Sequence, residues 1–564
     1  MTSRSNRIVV IGGVACGPKA AARARRCDPH AEITIIEEGK FVSYAGCGLP
    51  YYISGAIKKR DALFARTPEY FRNVSNIAVL TGTRAEAIDR ARHKVEVLNL
   101  ADQRRTTLDY DRLVLATGAS PIVPPIQGRD LAGIHTVKEV SDADEILSLV
   151  TSQGARKAVV VGAGLIGMEM TEVLTERGLK VTLVEALDSV LPAALDEEIA
   201  SVLASHLVRK GVEVRLGEKV VRFEGMGGAV RKAVTEKATV EAAIVIVAIG
   251  IRPNVKLAKE AGLELGPTRA IAVNQYLQTS DPDIYAGGDC VENTDLLSGA
   301  KVFVPMGSTA NKHGRVIGTN VTGGREVLPG VMGTCVVKAF DYNVGRVGLG
   351  EKQARDAGFD TITALVPALD RAHYYPGAHD ILLKLIADRK TGRILGGQGV
   401  GRGDVAKRID VLATILSFKG TVDTVANLDL GYAPPYDAAM DPLHNAVNVI
   451  RNKLSGLAQG LTPAQVKAKL DRREDFILLD VRDEKEWNGW RIEAPQVRLI
   501  PESRLRNKAD ELPRDKEVVV LCRRGVRAYK AQRTLQGAGF QNVKFMEGSM
   551  AAWPYEVFGE EPEE

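Results

Sequence analysis

Two cysteines stand in sequence contexts that suit sulfur chemistry, and the first is Cys47. The chain has six cysteines without C-x-x-C spacing, so the sequence predicts neither a zinc site nor a disulfide framework, and any functional cysteine should act alone. Cys47 lies in VSYAGCGLPYY, where a helix is expected to begin. Because a helix N-terminus favours the thiolate, we predict a redox-active Cys47 with a depressed pKa; a buried structural cysteine is the alternative. No role is assigned to the other four candidates, Cys16, Cys27, Cys290 and Cys335.

The second cysteine, Cys522, follows the apolar strand VVVL in a loop of the form C-x-x-G-x-R. Gly525 and Arg527 close this loop before a helix, so backbone amides are expected to converge on the sulfur. Such a cradle stabilises a thiolate or a persulfide anion. Arg523 and Arg524 add positive charge that suits an anionic sulfur donor.

A glycine turn near the start of the chain predicts nucleotide binding. The strand IVVI enters GGVACG, in which Gly12 and Gly17 fit a dinucleotide motif while Val14 replaces its second glycine. Glycine lets the backbone approach a pyrophosphate, and the following helix N-terminus offers free N–H groups. Glu37 closes the next strand, EITIIE, as the carboxylate expected to bind a ribose hydroxyl. A chance glycine-rich turn is the alternative for this copy.

A second turn is more complete. The strand KAVVV leads into GAGLIG, with glycines at Gly162, Gly164 and Gly167, and the strand VTLVE ends at Glu185. An acid at this position favours NADH, because the 2′-phosphate of NADPH needs an arginine there. Two such turns are consistent with either a duplication or two different nucleotides.

Three further segments point to a flavoprotein. LVLATGASP, which contains Thr117 and Gly118, and IVAIGIRPN resemble the segments by which a flavoprotein chain leaves and re-enters its FAD domain. TSDPDIYAGGD, ending at Asp289, resembles the motif whose aspartate holds the FAD ribityl chain. With the two turns, residues 7–450 resemble the two-dinucleotide-binding-domain flavoproteins. The resemblance implies FAD at the first turn and NADH at the second.

The segment around Cys47 narrows this resemblance. SYAGCGLPYY resembles the S-F-x-N-C-G-L-P-Y motif of coenzyme A disulfide reductases, with Tyr44 in place of phenylalanine and Gly46 in place of asparagine. HYYPG and YAPPY resemble the two tyrosine motifs that a partner subunit contributes in that subfamily. The resemblance implies a homodimer with shared active sites, in which Tyr374 and Tyr432 assist the leaving thiol as proton or hydrogen-bond donors. Simple interface packing is the alternative for these aromatics.

The same resemblance implies a site for coenzyme A as a substrate or a bound cofactor. Lys19, Arg23 and Arg26 share one face of the first helix by their spacing, and Arg25 extends this basic cluster. The three aligned cations could hold the coenzyme A phosphates while Cys47 receives the sulfur end; a solvated charged face is the alternative. Weaker candidates, matched only by position, are Ser43, Asn311 and Arg315.

The C-terminal region resembles the rhodanese family over about the last hundred residues. LLDVRD, the C-x-x-G-x-R loop at Cys522 and the late Trp553 carry this resemblance. The family's G-H-I-P-G-A stretch reads GWRIEAPQV here, so the sequence does not define the shape of that loop. An inactive rhodanese would typically have lost the cysteine, and we therefore expect an active one.

The composition excludes several classes of protein. With 45% hydrophobic and 26% charged residues the chain resembles an ordinary folded protein, and a net charge of +5 spread over many paired residues does not suggest nucleic-acid binding. Apolar runs such as residues 242–251 are about half the length needed to span a bilayer. No signal-peptide pattern follows Arg7, so we expect a cytoplasmic location without membrane or nucleic-acid partners.

These observations predict an α/β protein with two Rossmann-like domains, an α+β dimerisation domain and a C-terminal α/β rhodanese domain. The expected boundaries are 1–120 with 247–325 for FAD, 121–246 for NAD, 326–450 for dimerisation, 451–460 for a linker and 461–564 for rhodanese.

The resemblance implies an NAD(P)H-dependent reductase of persulfides, polysulfides and coenzyme A disulfide or persulfide. In this interpretation Cys522 loads sulfane sulfur and passes it on, directly or through coenzyme A. An NADH oxidase or peroxidase that cycles Cys47 as a sulfenic acid is the enzymatic alternative. A redox-sensing or sulfur-carrier protein with a structural flavin is the alternative from another class.

Overall fold

A computed structural model describes residues 6–151 and 154–559 of the chain. The chain forms two compact units. The first comprises the described parts of Met1–Val184 and Glu218–Val331, and the second those of Glu185–Gly217 and Met332–Glu564.

The first unit contains a five-stranded parallel sheet whose two faces are both buried. Alternate residues of its central strand, Arg7–Ile11, enter different apolar cores, with Ile8 and Val10 on one face and Val9 and Ile11 on the other. A continuous apolar run such as IVVI is what a strand covered on both faces requires. In spatial order the strands are Ile284–Ala286, Arg112–Leu115, Arg7–Ile11, Glu32–Ile36 and Ala78–Leu80.

A second parallel set of strands carries the second glycine turn. Its members in this unit are, in spatial order, Lys180–Val184, Lys157–Val161, Ile244–Val247 and Ile134–His135. Two antiparallel three-stranded sheets accompany the parallel ones. They are Thr83–Asp89 with Lys94–Asn99 and Arg105–Asp109, and Val220–Met226 with Ala229–Thr235 and Thr239–Glu241. The α-helices of the unit are Cys16–Cys27, Leu49–Ser54, Pro68–Ser75, Val140–Thr151, Leu165–Glu176, Lys256–Glu260 and Gly307–Asn320.

The second unit contains an antiparallel sheet and a parallel sheet. The antiparallel strands are, in spatial order, Cys335–Ala339, Tyr342–Gly348, Ile394–Gly401, Asp380–Asp388 and Thr361–Leu369. The helices that accompany them in sequence are Glu197–Arg209, Glu351–Asp356, Val405–Ser417, Val422–Ala426 and Pro442–Leu454. The helices Val405–Ser417 and Pro442–Leu454 start at Asp404 and Asp441, whose side chains accept backbone N–H bonds.

The parallel sheet of the second unit carries Cys522. Its strands are, in order, Gly460–Leu461, Val543–Met546, Glu517–Leu521, Phe476–Asp480 and Val497–Leu499. Its helices are Pro463–Asp471, Glu484–Gly489, Glu502–Lys508 and Val526–Gly537. Both faces of the sheet are covered by apolar cores, as in the first unit.

The predicted α/β fold class is confirmed. The first residues of the predicted linker 451–460 are helical, because the helix Pro442–Leu454 continues to Leu454. Among the described residues, no helix has the length and apolar character needed to cross a membrane.

Candidate active sites

The first glycine turn is sterically restricted to glycine at two positions. Gly12 has a φ of 112°, and a Cβ placed on it would lie 2.1 Å from the carbonyl oxygen of Ala116. A Cβ on Gly17 would lie 1.9 Å from the carbonyl oxygen of Gly12. Strand, turn and helix therefore approach so closely that no side chain fits, and the helix N-terminus stays open for a phosphate. Val14, which stands at the second glycine position of the motif, is half-buried.

Two carboxylates in this unit match the predicted FAD positions. Glu37 accepts bonds from the backbone N–H groups of Gly13 at 2.6 Å and Gly39 at 2.8 Å, so its side chain lies directly on the glycine turn. Burial raises the pKa of Glu37 and also that of Asp289. Removing water from two carboxylates costs free energy that hydroxyl donors of a ligand would offset. The geometry of both carboxylates fits their predicted roles.

The second turn repeats the steric pattern of the first. Gly162 has a φ of 100°, and its Cβ would lie 2.4 Å from the carbonyl oxygen of Ala248. The Cβ of Gly167 would lie 1.9 Å from the carbonyl oxygen of Gly162. Gly164 is the N-cap of the helix Leu165–Glu176, and Glu185 directly follows the strand Lys180–Val184. The predicted NAD residues thus occupy the positions that a dinucleotide turn requires.

The two segments that resembled FAD-domain crossovers pair with each other. Strand Ala119–Pro121 is antiparallel to strand Ile251–Pro253. The Thr117 hydroxyl donates to the Asn254 carbonyl at 2.7 Å, and the Asn254 backbone N–H donates to the Gly118 carbonyl at 2.9 Å. Thr117 and Gly118 are therefore fixed where the chain passes between its two parallel sheets.

Cys47 lies where two helix N-termini meet. It occupies a short 3-10 turn, Gly46–Gly48, that leads directly into the helix Leu49–Ser54. A Cβ placed on Gly307 would lie 3.7 Å from Cys47 Sγ, which puts the start of the helix Gly307–Asn320 beside the thiol. Cys47 itself is exposed, so a substrate can reach its sulfur.

The predicted depression of the Cys47 pKa is wrong for this structure. Partial removal of water by the surrounding protein raises the pKa of the thiol, and the negative charges of Glu169 and Asp289 raise it further. A backbone hydrogen bond to the thiol and the attraction from Lys138 oppose this rise, and both are smaller. The expectation considered only the helix N-terminus, and could include neither the removal of water by the folded chain nor the acids that approach from distant parts of it.

Glu169 is a site residue that the sequence analysis missed. It lies in the helix Leu165–Glu176, two residues after Gly167. Burial, reinforced by Glu172, raises the pKa of Glu169 to about 7. The negative charge of Glu169 is in turn one of the causes that raise the pKa of Cys47, so the two groups interact electrostatically. The only available signal was an acid shortly after Gly167 in an otherwise apolar helix start.

The coenzyme A candidates fall on two helices that pack together. A Cβ on Gly314 would lie 2.7 Å from the side chain of Lys19, and one on Gly318 would lie 2.6 Å from that of Arg23. The two glycines therefore let the helices Cys16–Cys27 and Gly307–Asn320 approach closely. The second helix begins beside Cys47, and the shared surface therefore runs away from the thiol. Lys19 and Arg26 are exposed on it.

The remaining coenzyme A candidates have partners within the protein. Arg23 Nε donates to the Thr319 hydroxyl at 3.0 Å, and Arg315 pairs with Glu326 at 3.2 Å. Asn311 donates to the Gly307 carbonyl at 2.9 Å. Ser43 has a φ of 51° and donates its backbone N–H to the Gly13 carbonyl at 2.7 Å. Left-handed backbone at a serine is strained, and such strain concentrates at functional sites.

The two predicted tyrosines meet in the second unit. Their hydroxyl oxygens lie 3.3 Å apart, although Tyr374 and Tyr432 are 58 positions apart in the chain. This hydrogen bond raises the pKa of Tyr432, so the phenol keeps its proton at neutral pH. Both side chains are largely exposed. The pair can therefore donate a proton to a ligand outside this unit.

One of the loop amides expected around Cys522 contacts its sulfur. The Gly525 backbone N–H donates to Cys522 Sγ at 3.0 Å. Ser549, which the sequence analysis did not select, accepts a bond from the Cys522 backbone N–H at 3.1 Å and lies 3.8 Å from the sulfur with its hydroxyl. The cysteine is buried in the loop between the strand Glu517–Leu521 and the helix Val526–Gly537.

The arginines of this loop have different environments. Arg527 pairs with Glu486 through two bonds of 2.6 and 2.7 Å, which raises the pKa of the guanidinium. Arg527 therefore contributes a positive charge to the loop and also links the loop to the helix Glu484–Gly489. Arg524 pairs with Asp380 at 2.8 Å, so part of the positive charge expected for an anionic donor is already balanced.

Comparison with known proteins places these features in a family. Residues 6–307 match the family model described as pyridine nucleotide-disulphide oxidoreductase, residues 334–443 match its dimerisation domain, and residues 462–555 match the rhodanese-like domain.

Individual relatives extend over most or all of the chain. An NAD(P)H coenzyme A polysulfide/persulfide reductase of Pyrococcus horikoshii is 37% identical, over 79% of this chain and 98% of its own. A protein of Methanocaldococcus jannaschii named NADH oxidase is 37% identical, over 80% of this chain and 99% of its own. The solved NAD-dependent persulfide reductase from A. fulgidus aligns with a TM-score of 0.93 at 46% identity, covering 97% of this chain and 100% of the other. The chain therefore belongs to the pyridine nucleotide-disulphide oxidoreductase family and carries a C-terminal rhodanese-like domain.

Proposed function

We propose that the protein uses NADH to reduce persulfides, polysulfides and coenzyme A disulfide or persulfide at Cys47, with sulfane sulfur loaded at Cys522. One observation carries the proposal: the exposed thiol of Cys47 lies beside the start of the helix Gly307–Asn320, and the helix Cys16–Cys27 that packs against this helix carries the exposed cations Lys19 and Arg26. That surface suits a thiol with a phosphorylated tail. The cradled second thiol of the same chain supplies a separate place for sulfane sulfur.

The nucleotide sites support a two-cofactor enzyme. The cradle at Gly12 and Gly17, which a Cβ would fill, together with Glu37 and Asp289, fits FAD; Gly162, Gly164, Gly167 and Glu185 would hold NADH. Bound FAD supplies the transfer of two electrons from the nicotinamide to the thiol chemistry. Every other step can be assigned to side chains of this chain.

The proposed thiol step begins with the Cys47 thiolate. It attacks the substrate sulfur of a persulfide, breaks the S–S bond, forms a mixed disulfide and releases hydrosulfide. Two electrons and a proton then return Cys47 to the thiolate and release the substrate as a thiol. A phenol can protonate the departing sulfur without becoming charged beforehand, which is the role proposed for Tyr374 and Tyr432.

A homodimer is part of the proposal. The chain matches a dimerisation domain, and Tyr374, Tyr432 and Tyr436 are 64%, 51% and 73% exposed, which is a large aromatic surface for a monomer. We propose that a second copy of the chain covers it and that the tyrosine pair serves the partner's thiol. We also propose a cytoplasmic location, since both cysteines must be reduced to act.

The deciding experiment compares persulfide, polysulfide and coenzyme A disulfide as substrates for the native protein and for Cys47→Ser. The variant should bind FAD and let NADH reduce it, because hydride transfer precedes the thiol chemistry, but should reduce none of the three substrates. Turnover of at least half the native rate in the variant would exclude Cys47 as the redox thiol.

An oxidase is the second candidate, because the Methanocaldococcus relative bears that name. In that case Cys47 would cycle as a sulfenic acid and oxygen or peroxide would be the acceptor. Oxygen consumption with NADH that exceeds reduction of all three sulfur substrates would favour the oxidase. Failure of NADH to bleach the flavin would instead favour a binding or sensing role.

A further inference from the structure

The loop that carries Cys522 rests on a short 3-10 turn, Ser549–Ala552. The Cys522 backbone is bonded to this turn twice, because its N–H donates to the Ser549 hydroxyl and its carbonyl accepts the Met550 N–H, both at 3.1 Å. The Ala551 N–H donates to the carbonyl of the residue after the cysteine at 2.9 Å. The position of the turn therefore sets the position of the backbone around the thiol.

The chain enters this turn in a backbone conformation that needs support. Gly548 and Ser549 have φ values of 68° and 49°, both in the left-handed region. A Cβ on Gly548 would lie 2.3 Å from the Cβ of Ala552, so this position admits only glycine. A left-handed serine is strained, and such strain persists only where the surrounding structure holds it. Contacts at the entry to the turn therefore act on the Cys522 loop.

Glu547 makes these contacts directly before Gly548. The Glu547 side chain is buried and forms an ion pair with Lys453, in the last turn of the helix Pro442–Leu454. Its other carboxylate oxygen accepts the Leu365 backbone N–H at 3.2 Å. The Lys453 ammonium also donates to the Thr363 carbonyl at 2.6 Å. One ion pair thus joins the rhodanese-like domain to a strand of the dimerisation domain.

The ion pair completes the edge of an antiparallel sheet. The strand Thr361–Leu369 is at the end of its sheet, so one of its sides faces away from the other strands. Thr363 and Leu365 are two positions apart and direct their backbone groups to the same side. A residue of a parallel neighbouring strand would donate to the first and accept from the second. Lys453 and Glu547 supply this donor and this acceptor, so their places are not interchangeable.

A second contact joins the Cys522 loop to the same two strands. Arg524 pairs with Asp380 at 2.8 Å, and Asp380 begins the strand that pairs with Thr361–Leu369. A Cβ on Gly548 would lie 3.3 Å from the side chain of Leu365, which places the start of the turn against this hairpin. The thiol loop and the turn behind it therefore both contact the dimerisation domain.

We propose that Glu547 is a positioning residue for sulfur loading at Cys522, and that Lys453 and the edge of the strand Thr361–Leu369 act through it. The proposal rests on the proposed sulfur-loading role of Cys522. While Glu547 is bound to the strand edge, the left-handed turn is held and the loop keeps the geometry that the thiolate needs. When the pair is broken, the turn relaxes and loading slows, although the domain remains folded.

Inorganic polysulfide is the probe for this step. The Cys522 thiolate attacks a sulfane sulfur, the S–S bond breaks with its electron pair leaving on the shortened polysulfide, and a Cys522 persulfide forms. Mass spectrometry of the peptide that contains Cys522 follows this product in the full-length, FAD-loaded protein without NADH. The result is therefore independent of reduction at Cys47.

The double variant Lys453→Met/Glu547→Leu removes both contacts with the strand edge, keeps similar volumes and leaves no charge of the pair behind. Its rate constant for loading should fall about tenfold, since misplacing reacting groups by about 1 Å can cost about a hundredfold. The final fraction of Cys522 persulfide should stay native, because misplacement slows the reaction in every molecule whereas unfolding removes a fraction of them. Native hydrogen exchange in the strand Glu517–Leu521 verifies the fold of the domain.

The exchanged variant Lys453→Glu/Glu547→Lys tests the strand edge itself. It restores an ion pair but presents a carboxylate to the Thr363 carbonyl and an ammonium to the Leu365 N–H, so loading should remain slow. Lys467→Met is the matched control, because the Lys467–Asp471 pair of the same domain is exposed, and this variant should load at the native rate.

Three results would overturn the positioning role while leaving the loading role intact. They are a native rate constant in the double variant, a loss confined to the final fraction of persulfide, and full recovery in the exchanged variant. Native protein that forms no Cys522 persulfide would instead refute the loading role, and the positioning proposal with it.

Discussion

Arg408 provides the sharpest test of how the tyrosine pair is positioned. Its side chain is fully buried, and the guanidinium donates to the carbonyl oxygen of Asp370 at 2.8 Å and to that of Asp404 at 3.0 Å. It also binds the carboxylates of Asp437 at 3.0 Å and Asp441 at 3.1 Å. Asp370 precedes the Tyr374 segment and Asp437 follows the Tyr432 segment. One side chain therefore ties together the two segments that present the phenols.

The loss of stability expected for Arg408→Met depends on the charged groups that remain after the substitution. Methionine fills similar space without donors, so Asp437 and Asp441, which are 1% and 2% exposed, lose a shared cation. Lys407 still pairs with Asp437 at 2.7 Å and limits the loss. Removing one partner of a buried ion pair costs about 3–5 kcal/mol, a large part of the 5–15 kcal/mol that stabilises a typical domain. We expect about 3 kcal/mol, and a several-fold loss of turnover because the tyrosines are no longer held.

The acidity of Asp441 gives this loss a defined pH dependence. Burial raises the pKa of Asp441 in the native protein, and Arg408 opposes that shift. Without Arg408 the folded-state pKa rises further, so the folded state holds a proton that the unfolded state has released. The stability deficit should therefore grow as pH rises from the ordinary aspartate value through the raised one, and shrink on acidification.

Hydrogen exchange in the helices Val405–Ser417 and Pro442–Leu454 measures the effect, because a chain of several domains does not unfold in one transition. The double variant Arg408→Met/Asp441→Asn should recover part of the loss by removing the unpaired charge. Arg451→Gln is the matched control, since the Arg451–Asp423 pair is exposed and should contribute under about 1 kcal/mol. An opening free energy in Arg408→Met within 1 kcal/mol of native, or a double variant less stable than the single one, would refute the reasoning.

Three further predictions concern the reacting groups. Tyr374→Phe and Tyr432→Phe should each lower turnover about tenfold or more with native FAD content and native dimers, and native kinetics in both would favour simple packing. Cys522→Ser should slow the reduction of bulky polysulfides or protein persulfides while small persulfides are still reduced; equal loss on both, or no loss on either, would reject the delivery role. Glu169→Gln should lower the pKa of Cys47, because the negative charge of Glu169 raises it, so the pH midpoint of Cys47 alkylation should move down; an unchanged midpoint would show that the two groups do not interact.

The sequence predicts the nucleotide turns well because their requirements are local. Gly12 and Gly162 need left-handed backbone, and Gly17 and Gly167 need an absent side chain, all within a few residues of one strand. The capped helix at Pro463–Asp471 follows from Thr462 and Gln465 for the same reason. The family resemblance then supplied the fold class that the structure confirms.

What the sequence could not provide are contacts between distant segments. The start of the helix Gly307–Asn320 lies beside Cys47, and Ser549 lies beside Cys522. No local sequence pattern predicts either contact. The pairing of Arg524 with Asp380 likewise joins two domains of the second unit. The error in the Cys47 pKa has the same origin, since helix position is visible in a sequence, whereas the removal of water around the thiol and the approach of Glu169 depend on the fold.

The raised pKa of Cys47 is compatible with a role as the attacking thiol. A thiolate of higher pKa is less populated at neutral pH but intrinsically more nucleophilic, and the best attacking thiol has a pKa near the ambient pH. A neutralised Glu169 would bring the Cys47 pKa back toward that range, because its charge is one of the causes of the rise. The exposed Cys47 thus has a titratable neighbour that can adjust it, whereas the buried Cys522 relies on the fixed Gly525 amide and the Ser549 hydroxyl. This difference suits the proposed roles, in which Cys47 must be regenerated in every cycle and Cys522 must only hold sulfur.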